Sequence, residues 1–139
     1  PESAPSGAFA DGWYRTKDLI RIDADGYVYV VGRVSDMIIR GGSNVSPAEV
    51  ERVLREHSSV HDVCVVGLPD EIYGQQVAAA VVPADTDIDT DAVRAFAAER
   101  LAAFKVPTVY RVIDALPLNP RTDKVDRRAV AELLQSQGA

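Results

Sequence analysis

Runs of apolar residues separated by polar turns predict a series of short strands. Apolar runs at 19–22 and 27–31 flank the sequence Asp-Ala-Asp-Gly at 23–26. Asp-Gly between apolar runs is typical of a β-hairpin, because glycine readily adopts the positive φ that such turns require. Further strands are predicted at 37–39, where Gly41 and Gly42 end the strand, and at 60–67, 76–82 and 109–113, with a loop at 69–74.

Three helices are predicted from apolar residues that recur every three to four positions. The first has Ser46 as its N-cap, and Glu49, three residues later, completes a capping box. The second is capped by Asp89 or Thr90, and the third covers 126–134. Strands that alternate with helices predict an α+β fold, here a small mixed β-sheet with packed helices. The apolar stripes contain Val50, Val53 and Leu54 in the first helix and Val93, Phe96, Ala97, Leu101 and Phe104 in the second.

The first hairpin does not fit a single compact domain. No helix is predicted beside it, and it joins the rest of the chain through the polar segment 32–36. We therefore interpret residues 1–34 as the terminal hairpin of a larger upstream domain and residues 35–139 as a small domain of their own.

Composition narrows the class of protein. The chain has 139 residues, of which 47% are hydrophobic, and this is enough for one compact core. One Cys cannot form an intrachain disulfide, which favours a reducing compartment. No apolar run approaches the ~20 residues needed to span a bilayer. A net charge of −6 disfavours binding to nucleic acid or anionic membranes. These features predict a cytoplasmic domain.

A series of short motifs adds a more specific signal. They occur at 11–19 (Asp-Gly-Trp-Tyr-Arg-Thr-Lys-Asp-Leu), 25–27 (Asp-Gly-Tyr), 32–42 (Gly-Arg-Val-Ser-Asp-Met-Ile-Ile-Arg-Gly-Gly), 46–51 (Ser-Pro-Ala-Glu-Val-Glu), 67–70 (Gly-Leu-Pro-Asp), 104–107 (Phe-Lys-Val-Pro), 116–117 (Leu-Pro) and 124–127 (Lys-Val-Asp-Arg). In order and spacing they resemble the adenylate-forming superfamily, which includes acyl-CoA synthetases, peptide-synthetase adenylation domains and luciferases. The wording at 36–42 is closer to acyl-CoA synthetases than to peptide-synthetase domains.

The resemblance implies a two-step ligase. Such enzymes join a carboxylic acid, here expected to be a fatty acid, to AMP using ATP and Mg²⁺, and then pass the acyl group to CoA. Residues 35–139 would be the C-terminal lid, which turns between the two half-reactions. The protein's own N-terminal adenylation domain would bind most of the ATP and Mg²⁺, so the 139-residue chain alone is expected to be inactive.

Two residues of the hairpin match nucleotide-binding positions of the family. Asp18 lies where the family keeps the carboxylate that holds the ribose hydroxyls, and Arg33 matches the arginine near the ribose and phosphates. A carboxylate can accept two hydrogen bonds, and a guanidinium offers a rigid set of donors. A turn-capping Asp and a surface ion pair are the alternatives. Ser35 matches the family's hinge, where Asp or Lys is usual.

The remaining matched positions lie beyond the hinge. Gly41 and Gly42 match a loop that faces the pantetheine tunnel, although such a pair can also simply end a strand. Lys124 matches the lysine that enters the active site during adenylation and can neutralise charge developing on carboxylate and phosphate oxygens; the alternative is a solvated charge on a polar loop. The chain departs from the family where Asp123 and Lys17 replace glycines, and the segment 117–124 is one residue longer than usual.

Other functions and sites remain open or are disfavoured. An acyl-AMP ligase that delivers to the phosphopantetheine of an acyl carrier protein is one alternative, and a catalytically silent docking module is another. Cys64 is expected to be a small buried core residue. His57 and His61 have no partners at metal-ligand spacing, so no metal site is predicted.

Overall fold

The structure, a computed structural model, describes residues 9–14 and 16–137. The chain divides into two compact units, Pro1–Ser35 and Asp36–Ala139, which we call the N-terminal and C-terminal units. In the N-terminal unit, β1 (Phe9–Ala10) pairs antiparallel with β2 (Trp13–Tyr14), and β3 (Asp18–Ile22) pairs antiparallel with β4 (Val28–Arg33).

The predicted hairpin turn is confirmed, and an aspartate organises it. The Asp23 carboxylate accepts hydrogen bonds from the backbone N–H groups of Asp25 at 2.9 Å and Tyr27 at 3.0 Å, and from the Tyr29 hydroxyl at 3.0 Å. Desolvation opposes ionisation, but these donors outweigh it and lower the pKa of Asp23. Gly26 takes φ +87°, the conformation for which glycine is suited.

The hairpin leaves much of its apolar surface exposed. Val30 is 69% exposed, and side chains on both strands share this exposure. Among the described residues of this unit, the only helical structure is the start of the 3₁₀ turn Val34–Asp36. Its strands therefore have little apolar core of their own. The other large exposed side chains are Trp13, Ile20, Ile22, Tyr27, Val28, Tyr29 and Val34.

The C-terminal unit begins with a small hairpin and a helix. β5 (Ile38–Arg40) pairs with β6 (Ser43–Val45), and α1 (Pro47–Arg55) follows. The sequence pattern predicts β5 but not β6, because Ser and Asn in β6 give no apolar alternation.

The capping box predicted for α1 is only half formed. The Ser46 hydroxyl oxygen accepts a hydrogen bond from the Glu49 N–H at 3.4 Å, as expected of the N-cap. The Glu49 carboxylate, however, accepts from Lys105 Nζ at 3.0 Å through both oxygens. An ion pair between two full charges, partly withdrawn from water, outweighs a carboxylate hydrogen bond to a single backbone N–H of the cap. The predicted box is therefore wrong in its second half.

A three-stranded mixed sheet forms the centre of this unit. β7 (Val60–Asp70) pairs antiparallel with β8 (Gly74–Pro83), and β8 pairs parallel with β9 (Val109–Val112). The predicted loop at 69–74 is shorter than expected, because Asp70 ends β7 and its carboxylate accepts the N–H groups of Ile72 and Tyr73. This Asx-type turn lets both strands continue almost to the tip.

Helices cover both faces of the sheet. α2 (Thr90–Arg100), capped by Asp89, packs with α1 on one face, and α3 (Arg127–Gln137) packs on the other. Alternate residues of β8 point to opposite faces, as the strand period of two requires. The predicted α+β fold is thus confirmed, and no described helix has the length and apolar character to cross a membrane. From β8, Val77, Ala79 and Val81 join the first core, whereas Ala78, Ala80 and Val82 join the second.

An ion pair between a buried carboxylate and a partly exposed arginine connects the helices across the sheet. Glu51 on α1 is 4% exposed, and its two carboxylate oxygens accept hydrogen bonds from Arg127 Nη2 at 2.9 Å and Nη1 at 3.0 Å. Arg127 Nη1 also donates to the Val65 carbonyl at 2.9 Å, and its Nε lies 3.5 Å from Asp36 Oδ2. Burial lowers the pKa of Arg127, but Glu51 outweighs that effect and raises the pKa above its usual range. Arg127 therefore remains charged in this pair.

Removing one member of this pair should be far worse than removing both. We expect Arg127→Met to lower the free energy of unfolding of the chain by about 3–5 kcal/mol, because Glu51 would stay buried without a counter-charge. The double variant Glu51→Met/Arg127→Met should recover most of that loss. Chemical denaturation monitored by circular dichroism measures both.

Arg128→Met is the matched control. Its side chain is 90% exposed and pairs with Glu132 on the surface of α3, so we expect a loss below about 1 kcal/mol. A loss of similar size for Arg127→Met would show that the Glu51–Arg127 pair does not stabilise the unit.

Candidate functional site

The structure brings Asp18 and Arg33 together. They are register partners across β3 and β4, and Arg33 Nε lies 3.4 Å from Asp18 Oδ1. Arg33 Nη2 also donates to the Thr16 carbonyl at 3.3 Å. The arginine side chain is 60% exposed, so the ion pair adds little stability. The surface ion pair anticipated as an alternative is thus present, and it leaves charged groups open to solvent at one end of the hairpin.

Ser35 lies at the junction of the two units. It is exposed, occupies the middle of the 3₁₀ turn Val34–Asp36, and is the last residue of the N-terminal unit. Asp36, the next residue, is held by Arg127. Ser35 itself is exposed, and the residue after it is held in place. It is therefore a suitable place for a change in φ and ψ.

Gly41 and Gly42 form the tight turn between β5 and β6. Their φ angles are +58° and +83°, in the left-handed region that favours glycine. The Gly41 N–H donates to the Tyr73 carbonyl at 2.8 Å, and a Cβ on Gly41 would lie 3.2 Å from Tyr73 Cδ1. A Cβ on Gly42 would meet nothing within 4 Å. Gly41 therefore meets a packing and backbone constraint, whereas Gly42 leaves open space above the turn.

Lys124 extends from a loop with a fixed backbone. The Asn119 N–H donates to the Lys124 carbonyl at 2.7 Å, and the Asp123 N–H donates to the Asn119 carbonyl at 2.8 Å. A β-bridge between Leu118 and Val125 closes the loop. The Lys124 side chain is exposed and forms no hydrogen bond or ion pair with the residues that the structure describes. The ammonium is therefore available to an external anion.

Lys17 and Asp123, the two positions at which the resemblance leads us to expect glycine, have a glycine-like backbone. Lys17 has φ +63° and Asp123 has φ +59°. L-residues adopt this left-handed region at a cost, and Asp tolerates it better than most. The conformation gives a physical reason for glycine at both positions. The substitutions add charged side chains while the backbone remains in the region that glycine favours.

Sequence reasoning missed the roles of Glu51 and Arg127. Each carries a charge on the apolar stripe of its own helix, because Glu51 follows Pro47 and precedes Leu54 at helical spacing. Arg127 likewise shares its stripe with Val130 and Leu134. An acid on one core-facing stripe and a base on another is the signal that could have predicted an internal ion pair.

The remaining candidate residues have structural roles. Cys64 is 1% exposed, as predicted for a core residue, and burial raises the pKa of its thiol to about 12. The His57 ring packs edge-on against Phe96 with ring centroids 5.0 Å apart, and its Nδ1 accepts from the Ser59 N–H. The described residues contain no group of three His, Cys, Asp or Glu side chains placed to hold a metal.

Comparison with known proteins identifies the family. Residues 49–124 match the model of the AMP-binding enzyme C-terminal domain, and this is more than half of the chain. The chain belongs to this family. The match runs from Glu49 in the first turn of α1 through the central sheet and α2 to Lys124, whereas the Gly41–Gly42 turn and α3 lie outside it.

Two curated relatives extend the similarity over nearly the whole chain. It is 41% identical over 135 residues to a probable CoA ligase, CCL9, from Humulus lupulus, covering 96% of this chain and 26% of that protein. It is 47% identical over 133 residues to the medium/long-chain-fatty-acid–CoA ligase FadD8 from Mycobacterium tuberculosis, covering 90% and 23%. The chain thus spans about a quarter of the length of these relatives.

Solved structures show the same fold. The o-succinylbenzoate CoA synthetase MenE from Bacillus subtilis, in complex with an acyl-adenylate intermediate, aligns with a TM-score of 0.84 and 38% identity over 94% of this chain and 26% of that one. A Mycobacterium tuberculosis fatty acyl CoA synthetase aligns with a TM-score of 0.77 and 39% identity, with the same coverage. The predicted resemblance to the adenylate-forming superfamily is confirmed.

The left-handed conformation of Asp123 can be tested through stability. Asp123→Gly should change the free energy of unfolding by less than about 1 kcal/mol, because relief of the positive φ offsets the added freedom of the unfolded chain. Asp123→Val should lower it by about 1–2 kcal/mol, because a β-branched residue is strained at positive φ. Denaturation of the chain measures both, and equal effects of the two substitutions would contradict this backbone assignment.

Proposed function

We propose that this chain is the C-terminal part of an ATP-dependent, AMP-forming acid–thiol ligase of the acyl-CoA synthetase type. The observation that carries the proposal is the Lys124 loop. Its backbone is fixed by hydrogen bonds and a β-bridge, whereas its ammonium is exposed and unpaired among the described residues. An exposed ammonium on a fixed loop supports a role toward an anion supplied from outside the unit.

The hairpin supports a two-domain arrangement. Residues 1–34 are assigned to the terminal hairpin of a large AMP-binding domain, and residues 35–139 are assigned to the lid. Exposed apolar side chains on β3 and β4 need an apolar partner, and relatives of about four times this length have room for one. That N-terminal adenylation domain would hold the acid and most of the ATP, with Mg²⁺ entering as part of the nucleotide substrate.

The chemistry assigned to Lys124 is electrostatic. When a carboxylate attacks the α-phosphate of ATP, negative charge develops on the phosphate oxygens and on the departing pyrophosphate. A compact ammonium held near those oxygens stabilises the charge in the transition state. Asp18 is assigned to the ribose hydroxyls and Arg33 to the ribose and phosphates. Their exposure and charge suit hydrogen bonding to a nucleotide.

The second half-reaction transfers the acyl group to a thiol. We assign CoA as the acceptor, with its pantetheine arm passing the turn at Gly41 and Gly42, where open space above Gly42 permits close approach. Ser35 is assigned as the hinge that presents first the Lys124 loop and then this turn.

The names of FadD8 and of the fatty acyl CoA synthetase favour a fatty acid as substrate. Transfer to a carrier protein is the competing outcome when both acceptors are offered.

The assignment of Lys124 predicts a loss confined to adenylation. In the full-length enzyme, Lys124→Ala should slow acid-dependent ATP–pyrophosphate exchange by about 10²–10³-fold, the usual cost of one preorganised electrostatic contact. Thioester formation from supplied acyl-adenylate should be nearly unchanged, because that reaction begins after pyrophosphate has left and does not pass through the transition state that Lys124 stabilises. Rates of the two half-reactions, measured separately, check this.

Arg128→Ala is the charge control for that experiment, since its side chain is 90% exposed and lies on α3, four residues after Lys124. Lys105→Ala is a poorer charge control, because the Lys105 ammonium pairs with Glu49 and its removal would also break that ion pair. Exchange that is unaffected by Lys124→Ala would remove the catalytic assignment of this residue.

The hinge assignment predicts an asymmetric effect. Ser35→Pro fixes φ near −65° and should hold one orientation of the lid. One half-reaction of the full-length enzyme should then fall by at least about tenfold more than the other, as expected where a conformational step separates them. Ser35→Ala, which removes only the hydroxyl, should leave both rates close to wild type. Equal, small effects of Ser35→Pro would place the hinge at another residue.

A further inference from the structure

The turn at Gly41 and Gly42 is attached to a second turn, the one between β7 and β8. Backbone contact is direct, because the Gly41 N–H donates to the Tyr73 carbonyl at 2.8 Å. Packing is close as well, since the Tyr73 ring occupies the space next to the Gly41 Cα. A third contact lies just before the turn, where the Ile39 N–H donates to the Gln75 side-chain oxygen at 2.8 Å.

Arg40 strengthens this attachment from the side. Its guanidinium lies over the Tyr73 ring at 4.4 Å from the centroid, and its Nη1 donates to the Phe104 carbonyl at 3.3 Å. Its Nε is buried and donates to none of the described residues. A planar guanidinium suits this task, because it can stack on a ring and donate in its plane at once. We call Arg40 and Tyr73 the clamp.

The clamp compensates for a property of the turn itself. Two consecutive glycines have more accessible backbone conformations than any other pair. Both glycines have positive φ, and Gly42 has open space around its Cα. Side-chain contacts from Tyr73 and Arg40 on one side leave the other side of the turn clear.

We propose that Arg40 and Tyr73 are positioning residues for the thioester half-reaction: they hold the Gly41–Gly42 turn in the one conformation that lets the thiol arm of the acceptor pass. This rests on the proposed function, which places that arm at the turn. Neither residue belongs to the Lys124 loop, so the clamp acts on acyl transfer and leaves adenylation unaffected. A half-exposed cation–π contact contributes little to folding, so loss of the clamp should affect the turn more than the stability of the unit.

The test separates the two half-reactions in the full-length enzyme. Arg40→Met and Tyr73→Leu should each lower kcat/KM for CoA, measured with supplied acyl-adenylate, by about 10- to 100-fold, because small displacements of a positioning element have effects of this size. Pyrophosphate exchange should stay within about twofold of wild type, since no contact to the adenylation groups is lost. The double variant should be little worse than either single one, because both remove the same contact.

Two further variants isolate the clamp from general structure. Tyr73→Phe keeps the ring and should retain near-wild-type thioester formation. Arg94→Met is the matched control, because Arg94 also stacks on a ring, that of Tyr110 at 5.1 Å, and donates to a backbone carbonyl, that of Thr108 at 3.4 Å. It should affect neither half-reaction.

Each outcome supports or excludes a positioning role for the clamp. Equal losses in exchange and thioester formation would show that the clamp only supports the fold, and unchanged thioester formation would show that the turn is positioned without it. Either result overturns the proposal while the proposed function stands. A wild-type enzyme that shows no acid-dependent exchange would instead refute the proposed function, and the clamp proposal with it.

Discussion

The C-terminal unit depends on one ion pair, between the buried Glu51 carboxylate and Arg127. A carboxylate that is 4% exposed is tolerable in an apolar interior only because Arg127, whose side chain remains 30% exposed, donates to both of its oxygens at 2.9 and 3.0 Å. The pair also satisfies the β7 backbone on both sides: the Val65 N–H donates to Glu51 and the Val65 carbonyl accepts from Arg127. Helices on opposite faces of the sheet are thereby joined through a strand, which explains why the charges occur on stripes that are otherwise apolar.

This constraint places the functional segments on one supported frame. Asp36, one residue beyond Ser35, is paired with Arg127, so the chain is anchored immediately after the assigned hinge. Lys124 lies three residues before Arg127, so the Lys124 loop ends at the same anchor. Under the proposed function, the assigned hinge and the Lys124 loop must keep a fixed relation to each other, and the contacts of Arg127 would provide it.

Local signals in the sequence predicted most of the elements but few of the interactions between them. The first hairpin and α2 carry their own turn or capping residue, and the apolar stripes identify the buried faces. β6 was missed because it has no apolar alternation. The role of Glu49 was wrong because its partner, Lys105, lies 56 residues away, and Arg127 lies 76 residues from Glu51; local spacing gives no direct information about such pairs. The positive φ of Asp123 was likewise invisible, because its residue type does not require that conformation.

Native-state hydrogen exchange on the 139-residue chain tests most directly whether this ion pair unites the C-terminal unit. If it does, the amides of Val65, of the centre of β8 and of Val130 in α3 should exchange only through global unfolding, with a common free energy of opening. Arg127→Met should lower all of these values together. Amides of α3 that exchange at a much lower free energy than those of β8 would show that the helix opens independently, and would contradict the claim that one buried pair makes these elements a single cooperative body.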